Sequence, residues 1–91
     1  MPTSDISFSL IQMHPGARRD FFRGEMETLK KTCPEVREAI FKGGLDGTDF
    51  WRVTCRPGGV WLVELNDGGH LVSAISCADP SAHCEGNWQA P

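Results

Sequence analysis

Residues 50–77, FWRVTCRPGGVWLVELNDGGHLVSAISC, decide the fold. Apolar and polar side chains alternate through three runs, the pattern of half-buried strands. Pro57-Gly58-Gly59 and Asn66-Asp67-Gly68-Gly69 separate the runs, and both are hairpin punctuation. A two-residue turn at Asp67-Gly68 sets Leu65 opposite His70, Val63 opposite Val72 and Trp61 opposite Ala74. A three-residue loop at 57–59 sets Cys55 opposite Trp61, Val53 opposite Val63 and Trp51 opposite Leu65. Both assignments place Trp51, Val53, Cys55, Trp61, Val63 and Leu65 on one face, joined by Val72 and Ala74. A meander over residues 48–77 with a single core face follows.

The opposite face carries Phe50, Val60, Leu62, Leu71 and Ile75, with Arg52 expected directly across from Glu64. A sheet face bound for water is normally more polar than this. Five large apolar residues together form a patch of the kind that marks an interaction site. Either a terminal segment folds over it or a partner does.

Upstream, DISFSLI (residues 5–11) also alternates, with Ile6, Phe8 and Leu10 on one side, and predicts an N-terminal strand over 3–12. A helix pair is expected over 17–43. Phe22, Met26, Leu29 and Cys33 fall at i, i+4, i+7 and i+11, one stripe of an amphipathic helix. Thr32 with Glu35 reads as a capping box and Pro34 suits a first helical turn. A second helix would then turn Val36, Ala39 and Ile40 inward and end at Lys42-Gly43-Gly44. The expected architecture is α+β, a single domain over 1–91. Two short helices pack on one face of a three- to four-stranded antiparallel meander sheet, and 78–91 form a C-terminal tail.

Composition narrows the function. With 40% hydrophobic and 23% charged residues, the chain is not of the disordered class. A net charge of −3 argues against a general phosphate-binding surface, so nucleic acid is not the expected partner, although Arg18, Arg19, Arg23, Lys30 and Lys31 cluster locally. No apolar run is long enough for a membrane span. The first 20 residues lack the pattern of a secretory leader, which favours the cytoplasm; oxidised cysteines would instead place the protein outside it.

The four cysteines permit three disulfide connectivities. Cys77 ends the last strand and Cys84 follows the turn-forming ADPSAH, so a Cys77–Cys84 bond would staple the tail to the sheet. Trp88 would then lie where it could cover part of the second face. Cys33 reads as a small buried hydrophobe. Paired Cys-x₂₋₄-Cys knuckles are absent, and so are Cys-x-x-Cys, HExxH, a nucleophile elbow and a phosphate loop. No catalytic, cofactor or metal residue is assigned, and no small-molecule substrate is evident.

The helix followed by FWRVTC…GGVWLVELNDGGHLV resembles the helix-and-meander pattern of PepSY-type domains, over about a third of the chain. These are small bacterial modules often linked to protease inhibition. The family's aspartate-threonine-glycine turn is missing here. The expected function is a small non-enzymatic protein-binding module: an inhibitor, adaptor or accessory subunit, of phage or secreted type. It would engage another protein or a second copy of itself through Phe50, Arg52, Val60, Leu62, Glu64, Leu71, Ile75 and Trp88. The alternative is a thiol or metal-binding protein using Cys77, His83 and Cys84.

Overall fold

The computed structural model describes residues 5–45, 47–66 and 68–79. Helices α1 (Asp5–Gln12) and α2 (Pro15–Thr28) precede strands β1 (Val36–Leu45), β2 (Thr48–Cys55), β3 (Gly59–Asn66) and β4 (Leu71–Ser76). The strands form one antiparallel sheet in the order β1-β2-β3-β4. The α+β class and the meander stand as expected, but two elements change identity. The N-terminal strand expected over 3–12 is helical, and the second helix expected after residue 33 is strand β1.

The α1 correction comes from a competing period. Ile6, Leu10 and Met13 lie at i, i+4 and i+7, and it is these that pack on the core; Phe8, assigned inward by alternation, is exposed. Asp5 in the first turn suits the helix dipole. Arg18 holds the other end. Its Nε donates to the Leu10 carbonyl at 2.8 Å and its Nη2 to those of Ile11 and Met13 at 3.1 and 3.0 Å. These include orphan acceptors of the α1 C-terminus. A segment of eight residues is marginal as an isolated helix, so docking and this clamp supply what propensity lacks.

In α2 the expected stripe is present. Phe22 and Met26 are fully buried and Leu29 packs against them. Pro15 opens the helix, and His14 caps it by accepting from Gly16 N at 3.1 Å. The helix stops before Cys33, with Lys30 in the left-handed region at φ 59°.

Strand β1 mimicked a helix because of a bulge. The ladder to β2 is irregular between Val36 and Glu38, so Val36 and Ala39 share the core face although three residues apart. Three-residue spacing of buried apolar groups is also the mark of a helix, hence the misreading. Beyond the bulge, Ala39 and Phe41 turn toward the core while Glu38 and Ile40 turn outward.

One core joins both helices to one sheet face, with Leu10, Phe22, Met26, Trp51, Val53 and Val63 at its centre. Trp51 is 1% exposed; its indole meets Phe22 and Phe41, and its Nε1 donates to the buried Ser7 hydroxyl at 3.0 Å. A buried bond of this kind contributes about 1 kcal/mol net, and leaving the indole N–H unmet would cost more. Glu25 ties α2 to the far edge by accepting from Leu71 N at 3.0 Å.

Cys33 and Cys55 form a disulfide with Cα atoms 5.1 Å apart, joining the segment between α2 and β1 to the end of β2. Arg56 N donates to the Glu35 carbonyl beside it at 2.9 Å. Gly58 is required in the adjoining loop: its φ is +125°, and a Cβ there would collide with the Thr32 carbonyl oxygen. The bond closes a loop of sequence separation 22, worth about 3 kcal/mol in the chain-entropy model. The Cys33→Ala/Cys55→Ala variant is therefore expected to lose about that much unfolding free energy in urea titration. A loss below about 1 kcal/mol would show that the bond constrains little.

Candidate functional site

The outer sheet face, turned away from the helices, can be laid out row by row from the register. The central row crosses all four strands as Ile40, Arg52, Leu62 and Ile75. One neighbouring row holds Glu38, Thr54 and Val60, and Cys77 N extends it by donating to the Val60 carbonyl at 2.8 Å. The other holds Gly43, Phe50, Glu64 and Ser73.

Most of the expected face is thus assembled, with two corrections. The loop between β2 and β3 spans 56–58, so Val53 faces Trp61 and Trp51 faces Val63, two residues from the expected register. A shift of two leaves every side chain on its own face. It does move Arg52 off Glu64: Arg52 lies across from Leu62 and pairs with Glu38 Oε1 at 3.4 Å, while Glu64 lies across from Phe50.

The second correction removes Leu71. The β3–β4 ladder is irregular after Glu64, pairing Glu64 with Ser73 but Leu65 with Leu71 rather than His70, and Val63 and Trp61 face Ala74 and Ser76 instead of Val72 and Ala74. Val72 is the extra residue. It is exposed rather than in the core, and Leu71 is turned into the main core at 6% exposure. The turn is held by Asn66, whose Oδ1 accepts from His70 N at 3.0 Å. His70 itself is exposed, 3.5 Å from Glu25 Oε1.

The centre of the outer face is not bare. Phe50 and Leu62 are 6% and 7% exposed, with Cys77 packed against them. Its flanks are open: Ile40 is 36% and Ile75 39% exposed. Between the Arg52 guanidinium and β4 lies a hollow of about 670 Å³, bordered by Thr54, Val60, Ser76 and Cys77. The arrangement offers apolar contact, one guanidinium, the carboxylates of Glu38 and Glu64, and a recess.

Cys77 is disulfide-bonded, so it presents no thiolate to a metal in this state. Its expected partner Cys84 lies outside the described residues, as do His83 and Trp88. Among the described residues no three His, Cys, Asp or Glu side chains are grouped to hold a metal ion, and no helix is long and apolar enough to cross a membrane. The pairing of Cys33 with Cys55 has no signal in a sequence whose residues 34–43 fit a helix, because only strand β1 brings Cys33 to the end of β2.

The two β4 leucine and isoleucine positions should now separate. Leu71→Glu buries a carboxylate in the core and is expected to unfold the isolated protein, whereas Ile75→Glu should keep a native thermal transition within a few degrees. Circular dichroism melts check this; a folded Leu71→Glu would refute the bulged register.

No protein-family model, curated protein or solved structure matches this chain, so the PepSY-like pattern remains a likeness of sequence pattern alone.

Proposed function

We propose that this protein is a small non-enzymatic protein-binding module, an inhibitor, adaptor or accessory subunit, acting through the outer sheet face. The observation that carries the reading is the open apolar flank of the central row. Ile40 and Ile75 stand exposed on either side of Arg52 and Leu62, beside a recess large enough to take a partner's side chain. Apolar anchors around a guanidinium, set against a recess, are the usual make-up of an interface centre. Relative to the face expected from sequence, the contact set loses Leu71, keeps Val60, Arg52, Glu64 and Ile75, and gains Ile40. Phe50 and Leu62 are buried with Cys77 packed against them and so leave the contact set.

The Cys33–Cys55 bond is compatible with an oxidising, extracellular location. We place the module there, where a thin core benefits from covalent ties.

A photo-crosslinking amino acid at position 60 tests the reading in cells of the source organism. A discrete adduct is expected, either with another protein or at twice the chain's mass. It should be lost when Ile75→Glu is added, since removing an interface anchor costs about 2 kcal/mol or more, roughly thirtyfold in affinity. No discrete adduct, or one that survives Ile75→Glu, would contradict a site on this face.

A further inference from the structure

A second surface runs along the seam between α2 and β1. Three shallow hollows of about 270, 310 and 280 Å³ follow one another there. The first two share Arg19, and the second and third share Arg23 and Pro34, so they form one groove. Arg37 lines one end and Lys30 and Lys31 the other. The chain's basic residues are concentrated here: six of its nine Lys and Arg lie within residues 18–37, alongside Asp20, Glu25, Glu27 and Glu35, and residues 57–91 hold none.

These cations are available. Among the described residues, Arg19, Lys30 and Arg37 have no carboxylate within ion-pair distance; Arg23 meets Glu27 at 3.7 Å on an exposed surface, a pair of little strength. Lys31 lies 5.6 Å from the Trp61 ring centroid. Arg18 is the exception, committed to the α1 carbonyls.

We infer that this seam is a docking groove for an extended peptide segment of a partner protein in which acidic and apolar residues are interspersed. The cations supply charge complementarity to its carboxylates. Pro15, Pro34, Val36 and Ile40 supply apolar contacts between them. Asp20, Glu27, Glu35 and Glu38 border the same groove and disfavour a polyphosphate, whose charge is continuous. The length also fits a peptide: α2, with 14 residues, is about 21 Å long, the reach of about six or seven extended residues. The groove meets the outer face at Ile40 and Glu38, but the cations that carry the inference, Arg19, Arg23, Lys30, Lys31 and Arg37, lie outside that face.

The test is to pan the disulfide-bonded protein against a phage library of random peptides about eight residues long. Arg19→Glu/Arg23→Glu and Ile75→Glu variants, each checked by thermal melt, run in parallel. Selected sequences should be enriched in Asp and Glu set among apolar residues. As synthetic peptides they should bind the Arg19→Glu/Arg23→Glu variant about tenfold more weakly, bind Ile75→Glu unchanged, and weaken with added salt. If that variant does not fold, Lys30→Glu/Arg37→Glu takes its place with the same expectation. Selection without acidic enrichment, or affinity untouched by charge reversal, would overturn the groove. Single-stranded DNA of similar length binding more tightly than the selected peptides would overturn the peptide assignment.

Discussion

The bond between Cys33 and Cys55 is the constraint on which the rest of the structure depends. Between Thr28 and Val36 the chain has no regular structure to hold it, yet it must pass from the helical layer to the edge of the sheet. The disulfide fixes that passage at the end of β2, and the Arg56–Glu35 backbone hydrogen bond and the close approach of Gly58 to Thr32 reinforce it. With the crossing fixed, β1 enters the sheet beside β2 with Val36 opposite Cys55, and α2 lies across the core face. A chain of 91 residues buries a modest fraction of its unfolded surface, so a loop-closing bond is a large share of its net stability.

The same crossing creates both surfaces for which binding is proposed. Bringing β1 to the sheet edge puts Ile40 at the end of the outer face's central row. It also opens the seam where Arg19 and Arg23 of α2 face Val36 and Arg37 of β1. One surface sets apolar side chains around Arg52 with Glu38 and Glu64 beside it, the other sets Arg19, Arg23, Lys30, Lys31 and Arg37 among four carboxylates and apolar gaps. A partner that wraps the β1 edge could touch both, and interfaces that combine an apolar anchor with a charged margin gain affinity from the first and association rate from the second.

How much was legible in the sequence depended on whether two periods could be told apart. The β2–β3 hairpin was readable because Trp51, Val53 and Cys55 and then Trp61, Val63 and Leu65 alternate without interruption, so even a register error of two residues kept the faces correct. Residues 5–11 satisfied alternation and a helical stripe at once, and so short a run cannot decide between them. The interchange of α1 and β1 left the totals of two helices and four strands intact, which is why the fold class survived both errors. Leu71 was placed on the wrong face because it sits beside a bulge, and an inserted residue breaks the parity on which face assignment rests; Val36 does turn inward as expected, but Ile40, expected inward on a helix, faces outward on the strand. The Arg18 clamp had no sequence signal, because its acceptors are backbone carbonyls.

The most direct test is the cysteine connectivity of the untreated protein. Digestion without reductant by trypsin and a glutamate-specific protease cuts after Glu64 and so separates Cys55 from Cys77. The expected result is a bridged species joining residues 32–35 to residues 53–64, which disappears on reduction. Cys33 linked to the fragment carrying Cys77, or recovered as a free thiol, would contradict the crossing on which this structure is built.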